Sequence, residues 1–259
     1  MTAFAALHRA GEPLLLPCAW DHASAYALAA RGFPAIGTTS LGVAAAAGLP
    51  DAAAATREET LRLALLLGSG PFLLTVDMEG GFSDDPEQVA LLAQELWAVG
   101  VAGINLEDGR GSVGRHAAKI AAVKAAVPGL FVNARTDTHW PGGGSGGDAG
   151  PSETLRRLER YQEAGADGVF VPGLADPAEI AALVRQLSVP LNILYTPGGP
   201  SVDRLTDLGV RRISLGSLLY RQALGAAVEA AVRVRAGRAP EGTALSYDTV
   251  QALTRPPSG

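Results

Sequence analysis

Cysteine is almost missing from the 259-residue chain: Cys18 is the only one, which excludes an intrachain disulfide and a thiolate metal cage. It lies in an apolar run and reads as a buried, inert thiol. Aromatic residues make up only 5% against 47% hydrophobic residues, so the core must be built from Ala, Val, Leu and Ile. That suits helices packed on parallel strands better than a β-sandwich. Lys and Arg form no long run and the formal charge is -5, which speaks against a phosphate-backbone footprint and a nucleic-acid partner. No charge-free apolar stretch of about 18 residues occurs, and the opening MTAFAALHRAGEP has no basic start followed by a long apolar segment. Neither a membrane span nor a secretory leader is expected, and the cytoplasm is the default location.

Short apolar runs alternate with longer amphipathic segments. The pattern predicts strands over 14–17, 34–38, 72–76, 102–106, 131–134, 168–171, 191–195 and 212–215. Between and after them it predicts helices over 23–31, 56–67, 86–99, 115–126, 153–164, 177–187, 202–208 and 218–234. Gly100, Gly165 and Gly209 stand where a helix must turn into the next strand, the usual place for a left-handed C-cap. Eight strands in strict alternation with helices close into a (β/α)8 barrel, the α/β TIM-barrel fold, whereas a doubly wound sheet uses five or six. One domain over 1–259 is expected, with 239–259 as a peripheral tail containing a short helical piece. The glycine-rich segment 141–151 follows the fifth strand on the face where barrel active sites lie. It reads either as a mobile lid or as a tolerated surface insertion.

Polar residues that end apolar strands on one rim are where barrel chemistry is expected. Strand three runs into Asp77-Met78-Glu79, strand four into Asn105-Leu106-Glu107-Asp108 and strand five into Asn133-Ala134-Arg135-Thr136-Asp137. Asp77 and Glu79 are two apart and share a face if the backbone stays extended, and Glu107 follows on the next strand. Such crowding would be repulsive without a cation. Hard oxygen donors with no Cys or His beside them select Mg2+, or Mn2+, over Zn, and Mg keeps several waters, so one direct ligand suffices. The alternative is that these acids are solvated strand ends or pair with Arg135 alone. Arg135 itself reads as a clamp on a substrate carboxylate or phosphonate, or else as a structural partner of Asp137 or Glu107. The small residues Gly37-Thr38-Thr39-Ser40-Leu41-Gly42 after strand two offer backbone amides to a developing oxyanion.

These motifs form a set with Trp20-Asp21, Gly48-Leu49-Pro50-Asp51, Asp77-Met78-Glu79-Gly80-Gly81-Phe82, Gly103-Ile104-Asn105-Leu106-Glu107-Asp108 and Gly165-Ala166-Asp167-Gly168. With them the chain resembles the isocitrate lyase and phosphoenolpyruvate mutase superfamily over about 18–223. The resemblance implies a barrel in which Mg polarises the oxygens of a 2-oxo acid and a pyruvate enolate is made or consumed. It implies Asp77 as the main metal ligand, with Asp51, Glu79 and Glu107 holding the ion largely through water. Thr39, Ser40 and Leu41 resemble the segment that binds the substrate carboxylate and carbonyl, with Arg135 beside them. Trp20, Asp77 and Asn192 join the substrate-binding candidates, and Asp51, Glu107, Arg135 and His116 the catalytic ones. A tetramer with exchanged final helices is also implied, so a homotetramer or homodimer is expected. Leu219, Leu224, Val228 and Val232 on the last long helix fit that expectation.

The chain departs from the lyases after strand four, where Gly109-Arg110-Gly111-Ser112-Val113-Gly114-Arg115-His116 contains no Lys-Cys-Gly-His segment. Arg110, Ser112, Arg115 and His116 are the polar residues available to replace it. The expected activity is a Mg-dependent lyase or decarboxylase that breaks a carbon-carbon bond of a small 2-oxo or 2-hydroxy di- or tricarboxylate. Phosphorus-carbon chemistry on phosphonopyruvate, or a weakly catalytic 2-oxo-acid-binding barrel, are the alternatives.

Overall fold

Pro17 has no N–H to give to a ladder, and at that residue the first strand of the sheet divides in two. The computed structural model describes residues 1–140 and 150–254, so most of the glycine-rich segment 141–151 lies outside the described residues. Chain order runs α1 (Ala3–Leu7), β1 (Leu14–Leu16), β2 (Cys18–Ala19), α2 (His22–Ala29), β3 (Ala35–Thr38), α3 (Ser40–Ala47), α4 (Arg57–Leu67) and β4 (Leu73–Asp77). It continues with α5 (Pro86–Ala98), β5 (Val101–Glu107), α6 (Val113–Ala126), β6 (Phe131–Arg135), α7 (Pro151–Glu163), β7 (Gly168–Val171) and α8 (Pro177–Gln186). β8 (Leu191–Leu194), α9 (Val202–Asp207), β9 (Arg212–Ser214), α10 (Leu218–Arg235) and α11 (Tyr247–Ala252) complete it.

All strand pairs are parallel, in the order β1-β9-β8-β7-β6-β5-β4-β3-β2. β1 pairs with the last strand and β2 with β3, so the two halves of the divided strand close the sheet. The nine strands among the described residues therefore fill eight barrel positions, one more piece than the eight expected, and the (β/α)8 reading holds. Two helices were not expected. α1 puts Phe4 under the barrel, where it meets Phe131 edge-on at 5.3 Å and Gly103 leaves room for its ring. Burying that ring contributes roughly 2–3 kcal/mol and helps close the N-terminal end. α3 is Ser-Leu-Gly followed by Val and Ala, without the polar face that marks a helix in sequence.

The glycine turns fall where the sequence places them. Gly100 and Gly165 have φ of 98° and 102°. A Cβ at Gly100 would lie 2.3 Å from the Gly68 carbonyl, so only glycine lets α5 turn into β5 there. Among the described residues no helix is long and apolar enough to cross a membrane. α10 has no buried residue, and Leu224, Val228 and Val234 on it are more than half exposed.

Candidate active site

Side chains alternate along each strand, so the residues that end β4, β5 and β6 and point inward meet over the C-terminal mouth of the barrel. There Asp51, Asp77, Glu107 and Arg135 line one cavity of about 110 Å³ together with Thr39, Ser40 and Leu41. Cys18, Thr38, Asn105, Ser214 and Ser217 complete its polar floor and side, and Trp140, Phe170, Pro172 and Leu194 its apolar wall. Thr38 ties two of these strand ends together, its hydroxyl accepting from Asp77 N at 2.9 Å.

Arg135 lies between Trp140 and Phe170, its guanidinium 5.6 and 5.9 Å from their ring centres. Its Nη1 meets Glu107 Oε2 at 2.7 Å and its Nε donates to Asp137 Oδ1 at 2.6 Å. Both structural pairings weighed from sequence are thus present, and Nη2 is left with no acceptor among the described residues. Burial pushes the Glu107 carboxyl up to about 8, against the pull of Arg135 and with Asp77 and Asp137 adding to the rise. Burial likewise raises Asp77, opposed by Arg135 and reinforced by Asp51. One arginine does not neutralise this many acids, and the site has the charge deficit that a divalent cation fills.

The donors are carboxylate oxygens, the set that suits Mg. Among the described residues no three His, Cys, Asp or Glu converge closely enough to hold an ion by themselves. The fit is therefore to an ion with one or two protein carboxylates and the rest of its shell from water and substrate. The backbone supplies the opposite field. Thr39 is the N-cap of α3 but its side chain makes no capping bond, so the first-turn N–H groups at Ser40 and Leu41 stay open at the cavity, where an anion is favoured.

Four expected site residues lie elsewhere. Glu79 is not part of the cavity wall, because β4 ends at Asp77 and Glu79 adopts φ of 48°, which breaks the alternation that would have kept it beside Asp77. Its carboxylate instead accepts from Ala54 N at 3.0 Å and Thr56 Oγ1 at 2.6 Å, holding the loop that carries Asp51. It faces a neighbouring hollow that shares Glu107. His116 is buried in α6 with its ring edge-on to Tyr161 at 4.5 Å, and burial lowers its pKa to about 4. It is a neutral packing residue away from the cavity. Trp20 packs on Tyr220 at 5.3 Å. Asn192 is sealed inside the barrel, level with Arg212. Conversely, Cys18 is buried as expected but lies in the cavity floor, its thiol raised to about 11 by burial. Asn105 and Ser214 were missed, although Asn105 stands two residues before Glu107 and so shares its inward face.

The loop after β5 is short and fastened. The Asp108 side chain is fully buried and accepts from Arg110 N and Asp137 N through Oδ1, and from Thr136 Oγ1, Arg157 Nη1 and Tyr161 OH through Oδ2. Arg110, at φ of 58°, donates to the carbonyls of Asp137, Thr138 and Trp140.

A family model for phosphoenolpyruvate phosphomutase matches residues 4–235. The chain belongs to the phosphoenolpyruvate phosphomutase family. An uncharacterized protein of Mycobacterium tuberculosis is 44% identical over 89% of this chain and 88% of its own length. The oxaloacetate decarboxylase of Pseudomonas putida is 31% identical over 76% of this chain and 71% of that one. Phosphonopyruvate hydrolase, solved with oxalate and Mg, superposes with a TM-score of 0.83 over 97% of this chain and 93% of that one, at 24% identity. That last likeness shows the fold. Membership of the isocitrate lyase and phosphoenolpyruvate mutase superfamily, expected from the strand-end motifs, is met.

Proposed function

We propose that this family member is a Mg-dependent lyase or decarboxylase that breaks a carbon-carbon bond of a small 2-oxo or 2-hydroxy di- or tricarboxylate through a pyruvate-type enolate. The observation that carries the reading is the meeting, in one cavity, of Asp51, Asp77 and Glu107 with Arg135 and the open amides of α3. Asp77 and Glu107 would hold the ion, with Asp51 reaching it through water. Bound there, Mg2+ supplies polarisation of the substrate oxygens and offsets the negative rim, and Mn2+ has the same donor preference. The Ser40 and Leu41 amides and Arg135 Nη2 bind and orient the substrate carboxylate. Stabilising charge that develops during bond cleavage is worth most in such a water-poor site, and Trp140 and Phe170 keep water from that side.

The oxaloacetate decarboxylase likeness favours carbon-carbon cleavage. The family model and the phosphonopyruvate hydrolase fold favour the second reading, phosphorus-carbon chemistry on phosphonopyruvate. The exposed apolar stripe of α10 supports packing against a second copy of the chain, as a homodimer or homotetramer. Pyruvate release from oxaloacetate, substituted malates, methylisocitrate and phosphonopyruvate, with and without Mg, tests the reading. Turnover of one of the carbon substrates with Mg supports it. Turnover of phosphonopyruvate alone moves the assignment to the second reading, and oxalate binding without any turnover reduces the protein to a 2-oxo-acid-binding barrel.

A further inference from the structure

Barrel interiors are normally packed with branched apolar side chains, yet Thr75, Asn133, Asn192 and Arg212, all buried, lie beneath this cavity. Arg212 is 1% exposed and has no carboxylate partner among the described residues. Burial lowers its pKa to about 10, so it stays a cation at neutral pH. Its Nη2 donates to Asn105 Oδ1 at 3.0 Å, and Asn133 Nδ2 donates to the same oxygen at 2.9 Å. A guanidinium can only donate, so the atom facing Arg212 has to be the amide oxygen of Asn105. The Asn105 NH2 group is thereby turned away from the barrel interior. It has no acceptor among the described residues and is not sealed from solvent, unlike the orphaned polar atoms below it. Asn105 lines the cavity and is the register partner of Asp77. Ser214 Oγ, also orphaned and 3% exposed, lines the same floor.

We propose that Asn105 donates its side-chain amide to an oxygen of the bound carboxylate substrate, and that Arg212 is the positioning residue that fixes Asn105 in the donating orientation. The inference rests on the reading of the cavity as a Mg and carboxylate site. It adds a neutral donor to the cavity that the amides of α3 also line, and accounts for an otherwise costly buried arginine.

Asn105→Asp is the informative variant. It keeps the oxygen that Arg212 and Asn133 address and replaces the NH2 by an oxygen that cannot donate. Calorimetry with Mg and oxalate on the wild type comes first: failure to bind there sinks the proposed function and leaves nothing for Asn105 to contact. Given wild-type binding, Asn105→Asp is expected to weaken oxalate tenfold or more, because a charge-assisted bond is exchanged for a repulsion. Its unfolding temperature is expected to hold or rise, since Arg212 gains a counter-charge. Arg212→Met is expected to weaken oxalate several-fold by freeing the amide to turn, without lowering the unfolding temperature. Oxalate affinity unchanged in Asn105→Asp overturns the proposal. So does an Arg212→Met protein that loses thermal stability while binding oxalate as the wild type does, because the network is then purely structural.

Discussion

Asp108→Asn tests how the short loop after β5 is held. The substitution keeps Oδ1, which accepts from Arg110 N and Asp137 N at 2.9 and 3.1 Å. It turns Oδ2 into an NH2 group that faces Thr136 Oγ1, Tyr161 OH and Arg157 Nη1, now at 2.8, 2.7 and 2.8 Å. The two hydroxyls can rotate and accept, but the guanidinium cannot, so one buried ion pair is broken. Breaking such a pair costs about 3–5 kcal/mol, and the lower end applies because Glu153 still faces Arg157 Nε at 2.7 Å. For a domain of this size that is a fall in Tm of roughly 6–12 °C. The pH dependence has a definite sign. Burial raises the Asp108 carboxyl, but the hydrogen bonds from Tyr161, Arg110, Asp137 and Arg157 outweigh it and hold the folded pKa below 3.8. The contribution of the carboxylate is then complete above pH 3.8 and fades as the pH falls through the lower folded value. Calorimetric melting of wild type and variant from pH 7 down to about pH 3 should show a deficit that narrows in acid. A variant melting within about 2 °C of the wild type at pH 7 would refute the argument, as would a deficit that does not change with pH.

Three further outcomes are expected. Asp77→Ala should abolish Mg-dependent oxalate binding in calorimetry while leaving Tm unchanged or slightly higher, since burial and Asp51 already disfavour its charge; retained affinity would remove Asp77 from the metal site. Arg135→Lys keeps a charge near Glu107 and Asp137 but loses the fork that serves both, so kcat/KM on the substrate found by the panel should fall on the order of a hundredfold, and near-wild-type turnover would make Arg135 a structural partner of the rim. Arg135→Ala is less informative because it strands two buried acids. If α10 is a subunit interface, light scattering at micromolar concentration should give a dimer or tetramer, and Val228→Asp, on a position 57% exposed in the single chain, should shift it toward monomer; a monomeric wild type contradicts the reading.

The barrel was legible because its signals are local and repeated. Apolar runs of strand length alternate with amphipathic helices, and Gly100, Gly165 and Gly209 occupy left-handed turns that other residues disfavour. The division at Pro17 and the helix α3 were not legible. The first depends on which strand pairs with each half of β1–β2, and the second is an Ala-rich helix whose burial comes from what packs on it rather than from a polar face. The rim acids were legible as strand ends, yet Glu79 shows the limit of that logic. Counting by twos holds only while the backbone is extended, and one residue at φ of 48° takes Glu79 off the face it would share with Asp77 and leaves it tying the Asp51 loop. His116 and Asn192 lie outside the cavity lining for a related reason, since residue type says what a side chain can do but not which side of the barrel wall it occupies. Asn105 is the converse case: it looks like a polar residue within a strand and gains meaning only when a buried arginine from the last strand, 107 positions away, decides which of its two amide atoms faces the cavity. Chemistry carried by a strand end can be read from a motif, whereas chemistry carried by the orientation of a neutral side chain depends on partners that only the closed barrel brings together.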